Sequence, residues 1–385
     1  MQIKLGDFLR EICIKTVVNN EYPVLTSSKN GIYLQSEYFN KQVASKDNTG
    51  YKIIKKGQFT YRAMSDTGEF YPNMLKCVDV GIVSPAYPVF EITNRDIIYP
   101  QYLQYFFRSN TFRYNISGLE QGSTRTSIKF NKMKNIKIKL PPLLEQKKVI
   151  MILDRVGSLI SKRQEQLKYF DELTKSLFIE MFGDPISNPK EWKKKKCKNI
   201  LTKIGSGATP QGGSESYKEE GISLIRSMNV HNGRFESKDL AYIDEKQAQK
   251  LDNVNIKEND VLINITGASV ARCCIVPSDV IPARVNQHVS VLRCSDMVNS
   301  IFLCYQIIND SYQNLLKKIG TSGGATREAI TKKQIEDLEV ILPPIELQNK
   351  FANFVRGTDK SKLAVKKSLE ELEILKKSLM QKYFA

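Results

Sequence analysis

Apolar residues recur at alternating intervals of four and three positions in two segments of the chain. In the first segment they occupy positions 149, 153, 156, 160, 167, 170, 177 and 181, interrupted by Arg163 and Thr174. In the second they are Phe351, Val355, Val365, Leu369, Leu372, Leu379 and Tyr383. This spacing predicts two long helices with the apolar seam of a coiled coil.

The two helices belong to a repeat with an offset of 202 residues. Gly-Ser-Thr-Arg at 122–125 returns as Gly-Ala-Thr-Arg at 324–327, and Leu-Pro-Pro at 140–142 returns at 342–344. Neither helix can bury its apolar stripe alone, so we expect the two to pair with each other. Because each helix ends its own repeat, the pair should be antiparallel. The alternative is that both are ordinary core helices of one globular domain.

The segments that precede the helices mix short β-rich runs with Gly, Asn and Asp turns, which is typical of α/β or α+β domains. The sequence therefore predicts two such domains joined by two long antiparallel coiled-coil helices, with an internal pseudo-two-fold repeat. We expect the domains at residues 1–140 and 186–342 and the helices within residues 141–185 and 343–385.

Composition points to a polyanionic partner. The 385 residues include 58 Lys and Arg against 41 Asp and Glu, a net charge of +17, which favours nucleic acid. No apolar run is long enough to span a membrane and no signal-peptide core is visible, so we expect a cytoplasmic protein. Seven scattered cysteines without Cys-x-x-Cys spacing and two histidines favour reduced thiols over a metal site.

Several runs resemble the conserved regions of type I restriction-modification specificity subunits. They are Leu-Pro-Pro-Leu-Leu-Glu-Gln at 140–146, Phe-Ile-Glu-Met-Phe-Gly-Asp-Pro at 178–185 and Asn-Pro-Lys-Glu-Trp at 188–192. In the second variable segment, residues 206–210, 221–226 and 286–289 also look like landmarks of the recognition domains in that family. The first variable segment lacks the Gly-x-Thr-Pro landmark and resembles a different recognition subtype.

The resemblance implies that each domain reads one half of a bipartite asymmetric target in double-stranded DNA, while the helices set the spacing. It also implies partner proteins, namely two methyltransferase (modification) subunits and the restriction/translocase subunits. S-adenosylmethionine, ATP and Mg would then belong to those partners. This chain would hold no cofactor, no metal and no catalytic residue.

Reading bases requires side chains that present paired donors or acceptors, such as Arg for guanine and Asn or Gln for adenine. The predicted contacts in the second domain are Arg226, Asn229, Arg284 and Gln287. Those in the first domain are Tyr61, Arg62, Ser65 and Lys76. Arg125 and Arg327 occupy equivalent places in the repeat, so we expect both to contact phosphates.

Two other functions remain open at this point. One is a standalone architectural nucleic-acid-binding protein that uses charge and shape alone. The other is a metal-dependent nuclease in which Asp184 and Glu191, followed by Lys193, hold the metal. A methyltransferase Asn-Pro-Pro-aromatic motif and a Gly-x4-Gly-Lys phosphate loop are absent from the sequence. The Gly-rich run at 320–327 fits either a phosphate cradle or a simple turn.

Overall fold

A computed structural model describes residues 2–39, 45–119, 126–321 and 328–385. Arg125 and Arg327 lie outside these residues. The chain divides into two compact units. The first unit contains residues 1–164 and 367–385, and the second contains residues 165–366.

The first unit and the helix that leaves it contain the following elements. The strands are β1 (Gln2–Lys4), β2 (Leu9–Ile12), β3 (Leu25–Ser28), β4 (Gly31–Leu34), β5 (Lys52–Lys55), β6 (Phe59–Thr60), β7 (Met64–Ser65), β8 (Asn73–Met74), β9 (Val80–Val83), β10 (Val89–Ile92), β11 (Thr126–Ser127) and β12 (Lys137–Lys139). The helices are α1 (Gln35–Tyr38), α2 (Pro100–Phe106), α3 (Asn110–Ser117), α4 (Phe130–Met133) and α5 (Leu143–Phe182).

The remaining elements follow α5 along the chain. The strands are β13 (Lys194–Lys196), β14 (Leu201–Ser206), β15 (Ile222–Ile225), β16 (Val230–His231), β17 (Arg234–Phe235), β18 (Ala241–Ile243), β19 (Val261–Asn264), β20 (Cys273–Ile275), β21 (Ala283–Val285), β22 (Val289–Cys294) and β23 (Glu339–Ile341). The helices are α6 (Glu245–Gln249), α7 (Ser300–Ile307), α8 (Asp310–Thr321), α9 (Lys332–Asp337) and α10 (Ile345–Phe384).

Each unit is built on an antiparallel sheet. The strand order is β2-β10-β6-β8 in the first unit and β14-β22-β19-β20 in the second. The apolar run of β19 is buried throughout, because it lies inside its sheet with core on both faces. In both units the first strand pairs with the strand that precedes the Pro-Pro pair, β1 with β12 and β13 with β23. The α+β class predicted for the two domains is confirmed.

The long helices α5 and α10 pair in an antiparallel manner in each unit. In the first unit, Val149 and Leu153 near the start of α5 share a core with Phe384 at the end of α10. In the second, Phe182 at the end of α5 packs against Phe351 near the start of α10, with ring centroids 5.6 Å apart. The predicted seam is confirmed, because every seam position named from the sequence is buried or half-buried. Each helix has 40 residues, or ~60 Å at ~1.5 Å per residue.

One buried glutamine near the start of each long helix binds that helix to its unit, and the two glutamines do so in the same way. Gln146 accepts from Tyr99 N at 2.9 Å and donates to the carbonyls of Ile97 and Pro141. At the offset of 202, Gln348 accepts from Asn299 N at 2.9 Å and donates to the carbonyls of Met297 and Pro343. The sequence alone marks these glutamines as repeated, and the structure gives the reason, since both satisfy backbone groups at the same corner.

The repeat also extends to the residues that follow the two Gly-Thr-Arg runs in the chain. Ile128 N donates to Ala63 O at 3.0 Å in the first unit, and Ile330 N donates to Ile265 O at 2.8 Å in the second. Donor and acceptor are each shifted by 202 residues between the two units, the same offset as in the conserved regions. The two units therefore share a backbone framework directly after these runs.

Candidate nucleic-acid interface

Parallel strands β15 and β21 bring two predicted contacts of the second unit to one edge. These strands are hydrogen-bonded neighbours, so their carboxyl ends lie side by side. Arg226 directly follows β15, and Gln287 follows β21 by two residues. Asn286 N donates to Ile225 O at 3.1 Å and fixes the two strand ends together. The edge of a sheet at the carboxyl ends of parallel strands is a common place for ligand contacts.

The landmark at residues 206–210 joins the same edge. Gly207 N donates to Asn286 O at 3.2 Å, and Thr209 N donates to the Gln287 Oε1 atom at 2.8 Å. A Cβ atom on Gly207 would stand 1.7 Å from Val285 O, so only glycine allows this approach. Three runs that are separate in sequence, 206–210, 221–226 and 286–289, therefore meet in space.

Arg226 and Gln287 present polar atoms at this edge. Arg226 lies over the Tyr217 ring at 5.4 Å and donates to Asp239 O at 2.5 Å. Among the described residues its buried Nε finds no acceptor, so the guanidinium has donor capacity left over. The Gln287 side chain is exposed.

The residues that follow the second Gly-Thr-Arg run in the chain lie beside this edge. His288 Nδ1 lies 2.6 Å from Thr266 Oγ1, and Thr266 forms a β-bridge with Ala329. Gly267 N donates to Glu328 O at 2.8 Å, and Glu328 directly follows Arg327 in the chain. Glu328 and Ala329 thus contact Gly267 and Thr266, and Thr266 in turn contacts His288, the residue after Gln287.

Asn229 and Arg284 are placed differently from what the sequence suggests. Asn229 is fully buried, where its Oδ1 accepts from Arg226 N at 3.0 Å and its Nδ2 donates to Glu236 O. Arg284 is also buried and its guanidinium bonds Asp252 at 2.6 Å and the carbonyl of Ala248. Both side chains have their hydrogen bonds satisfied inside the unit, so we correct their assignment from base contact to support of the edge.

Two predicted contacts of the first unit are likewise internal. Tyr61 is fully buried and its hydroxyl donates to Ile128 O at 3.1 Å. Burial, together with the charge of Glu11, raises the pKa of Tyr61 well above its usual value, so the phenol stays protonated. Ser65 is 9% exposed, and its Oγ accepts from the backbone N–H groups of Thr67 and Glu69. We correct both assignments, because these polar atoms hold the fold and do not face a ligand.

Arg62 and Lys76 remain exposed in the first unit, but the structure does not bring them together in one cluster. Arg62 lies near Asp66, at 3.8 Å, close to the strand pair β7 and β11. Thr126 of β11 directly follows Arg125 in the chain and pairs with Ser65, three residues after Arg62. Lys76 lines a separate groove with Lys29, Arg108 and Arg113. Sequence reasoning missed these last three residues, because no spacing links positions 29, 108 and 113.

The nuclease alternative has no support in the geometry. The Asp184 Oδ1 atom accepts from the backbone N–H groups of Ile186 and Ser187, each at 3.0 Å, and so closes a turn. Within the described part of the chain, no group of three or more His, Cys, Asp or Glu side chains is placed to hold a metal ion. The helices in the same part of the chain are not long and apolar enough to cross a membrane.

Comparison with known proteins decides the family. The model of the type I restriction modification DNA specificity domain matches residues 4–169 and again residues 189–374. The chain belongs to this family. The two matches correspond to the two copies of the repeat, and the resemblance seen in the conserved runs is confirmed.

Relatives of the specificity subunit agree along most of its length. This chain is 25% identical over 310 residues to the type I restriction enzyme MjaIX specificity subunit of Methanocaldococcus jannaschii. The match covers 76% of this chain and 69% of the relative. A structure of a type I restriction-modification system superimposes with a TM-score of 0.62 at 19% identity, over 99% of this chain and 96% of the other. The crystal structure of the S subunit of the type I restriction-modification system from M. genitalium superimposes with a TM-score of 0.59 at 14% identity, over 100% of this chain and 96% of the other. The comparisons support neither the architectural nor the nuclease alternative.

Proposed function

We propose that each unit of this specificity subunit reads one half of a split, asymmetric DNA sequence. The observation that carries the proposal is a shared framework with unlike surfaces. The Ala63–Ile128 and Ile265–Ile330 backbone bonds are equivalent in the two units, whereas the exposed candidate groups differ, Arg62 in the first unit and Gln287 in the second. A common framework holds the two surfaces in equivalent places, and different side chains there select different bases.

In the second unit, the proposed base readers are Arg226 and Gln287. Arginine donates two parallel bonds to guanine in the major groove, and glutamine pairs with adenine in the same groove. In the first unit, Arg62 and Lys76 are the exposed candidates. Arg125 and Arg327 stay proposed phosphate contacts, because their neighbours Thr126 and Glu328 contact residues that are also 202 positions apart, Ser65 and Gly267.

The remaining parts of the proposal concern assembly. Recognition domains at residues 1–140 and 186–342 are joined by the helices within 141–185 and 343–385, which set the spacer between the two halves of the target. The helices dock modification subunits, two of them, and restriction subunits complete the assembly. Methyl transfer and ATP-driven steps then belong to those partners, and this chain acts in the cytoplasm as a non-catalytic subunit.

The test is co-expression with candidate modification subunits, followed by co-purification and mapping of N6-methyladenine in the cellular DNA. We expect a stable complex and methylation at one split asymmetric motif. Arg226→Ala should relax the motif at one position of one half only. Arg10→Ala, which removes an exposed arginine paired with Glu91 in the first unit, is the control and should leave the motif unchanged. Absence of both complex and methylation would instead favour an architectural DNA-binding protein.

A further inference from the structure

Three basic side chains of the first unit surround one aromatic ring. Lys29 Nζ, Arg108 Cζ and Arg113 Cζ lie 5.8, 5.2 and 5.8 Å from the centroid of Tyr71. Glu69 is the carboxylate of this cluster, 4.0 Å from Lys29 and 3.8 Å from Arg113. It also accepts from the Tyr71 hydroxyl at 2.5 Å. One carboxylate balances only part of the charge of three cations.

Arg108 at the centre of this cluster is half-buried and bonded to neutral groups. Its guanidinium donates to Lys29 O and to the Asn73 Oδ1 atom. Burial lowers the pKa of Arg108, and the charge of Arg113 acts in the same direction, partly offset by Tyr71. A partly desolvated cation beside other cations is stabilised by an anion that approaches from the open side.

The cluster opens into a groove of about 1220 Å³. Three further basic residues line it, Lys76, Lys376 and Lys377, whereas its carboxylates are Asp154 and Glu373. Asp154 is already engaged, since it accepts from the Tyr105 hydroxyl at 2.7 Å. The groove therefore carries an excess of positive charge.

Hydrogen bonds connect the cluster to the proposed DNA-contacting region. Glu69 N donates to Ser65 Oγ at 3.1 Å, and Ser65 pairs with Thr126, the residue after Arg125. The cluster and Thr126 are therefore connected through the same short segment, residues 65–71. A duplex that reaches Thr126 and the exposed Arg62 would lie on the segment that also carries Glu69 and Tyr71 of the cluster.

The equivalent groove of the second unit has different chemistry. Tyr99 N donates to Gln146 just before α2, and Asn299 N donates to Gln348 just before α7. These equivalent bonds show that α2 and α7 correspond at an offset of 200 residues. At that offset Ile308 replaces Arg108, and buried Gln313, which bonds the carbonyl of Ala271, replaces Arg113. This second groove, about 570 Å³, is lined by Asp184, Glu180 and Asp310 together with Lys175. Among the described residues, the cationic cluster therefore belongs to the first unit.

We propose that Lys29, Arg108 and Arg113 bind a backbone phosphate of the DNA half-site that the first unit reads. Arginine forks match phosphate oxygens in pairs, and the lysine adds a point charge. The Tyr71 ring keeps the three cations in place. The inference rests on the proposed function and adds a contact that belongs to one half of the target only.

The experiment uses the chain assembled with its modification subunit and measures duplex affinity by fluorescence anisotropy between ~50 and ~200 mM KCl. The duplexes carry either the mapped methylation motif or a scrambled sequence. Arg113→Gln should weaken binding to both duplexes alike and reduce the slope of log affinity against log salt by about one. Arg108→Lys should weaken binding with the slope unchanged, because it keeps the charge and loses the fork.

Arg10→Gln is the matched control, since it removes an exposed arginine of the same unit that lies outside the groove. It should leave affinity and slope as in the wild type. An unchanged salt slope in Arg113→Gln would overturn the inference. If folded Arg113→Gln instead lost its binding to the modification subunit, the inference would also be overturned, because the groove would then be a protein interface. So would ATP binding that Arg113→Gln abolishes while DNA binding stays unchanged, because the groove would then hold a free phosphate compound. If the wild-type complex does not prefer the methylated motif, the proposed function itself is refuted.

Discussion

Replacing Gln348 by leucine tests whether the repeated glutamines anchor the long helices. Leucine has similar volume but no polar atoms, so the substitution removes hydrogen bonds without opening a large cavity. Three backbone groups lose their partner: Asn299 N at 2.9 Å, Pro343 O at 2.8 Å and Met297 O at 3.3 Å. All three lie at the corner where α10 begins.

The expected cost follows from the burial of those groups. A buried polar group without a partner costs ~1–3 kcal/mol, and less where water can reach it. The bond to Pro343 is buried, whereas those to Asn299 and Met297 are only partly buried. We therefore expect the free energy of unfolding to fall by about 2–4 kcal/mol. With a urea m-value of ~2–3 kcal/mol/M, the midpoint should drop by about 1 M.

Urea unfolding followed by circular dichroism gives the midpoint, and hydrogen exchange with mass spectrometry gives the location. Gln348→Leu should reduce protection in peptides of the second unit, and Gln146→Leu should do so in the first unit. Gln164→Leu, at an exposed position of α5, is the control and should change stability by less than ~0.5 kcal/mol. A change of that small size in Gln348→Leu would refute the anchoring role.

Three further predictions concern recognition. Arg226→Ala should lower target affinity by about 1–3 kcal/mol, measured by anisotropy, with a much smaller loss on scrambled DNA. Gly207→Ala should abolish the preference for one half-site while unit-one recognition survives in methylation mapping, because the new Cβ would meet Val285 O at 1.7 Å. Arg327→Ala should weaken binding to all duplexes alike and reduce the salt slope by about one; selective loss at one base would contradict a phosphate contact.

Features that follow from periodicity could be predicted from the sequence. The seam of α5 and α10 repeats over many turns, and the offset of 202 residues marks both the Pro-Pro pairs and the glutamines. The antiparallel direction follows because each helix ends its own repeat. These signals are strong because burial of an apolar stripe constrains many positions at once.

Individual site residues were harder to predict, and the reason is visible at Arg284 and Asn229. Residue type indicates hydrogen-bonding capacity, but it does not tell whether that capacity is used inside the fold. Arg284 is neutralised by Asp252, which lies 32 residues away, and Asn229 turns back onto the backbone of Arg226. The cluster at Lys29, Arg108 and Arg113 was missed for the converse reason, because only tertiary structure assembles it.

The division between repeated and divergent positions has a physical basis. Gln146 and Gln348 satisfy backbone groups, and backbone geometry is the same in both units, so the same side chain solves the same problem twice. Arg108 and Ile308 occupy equivalent places at a groove, where no backbone group depends on them in both units. Groove positions such as these can therefore differ between the units without loss of the hydrogen bonds that hold the shared framework. A specificity subunit can therefore change what each unit recognises while the helices and their corners stay the same.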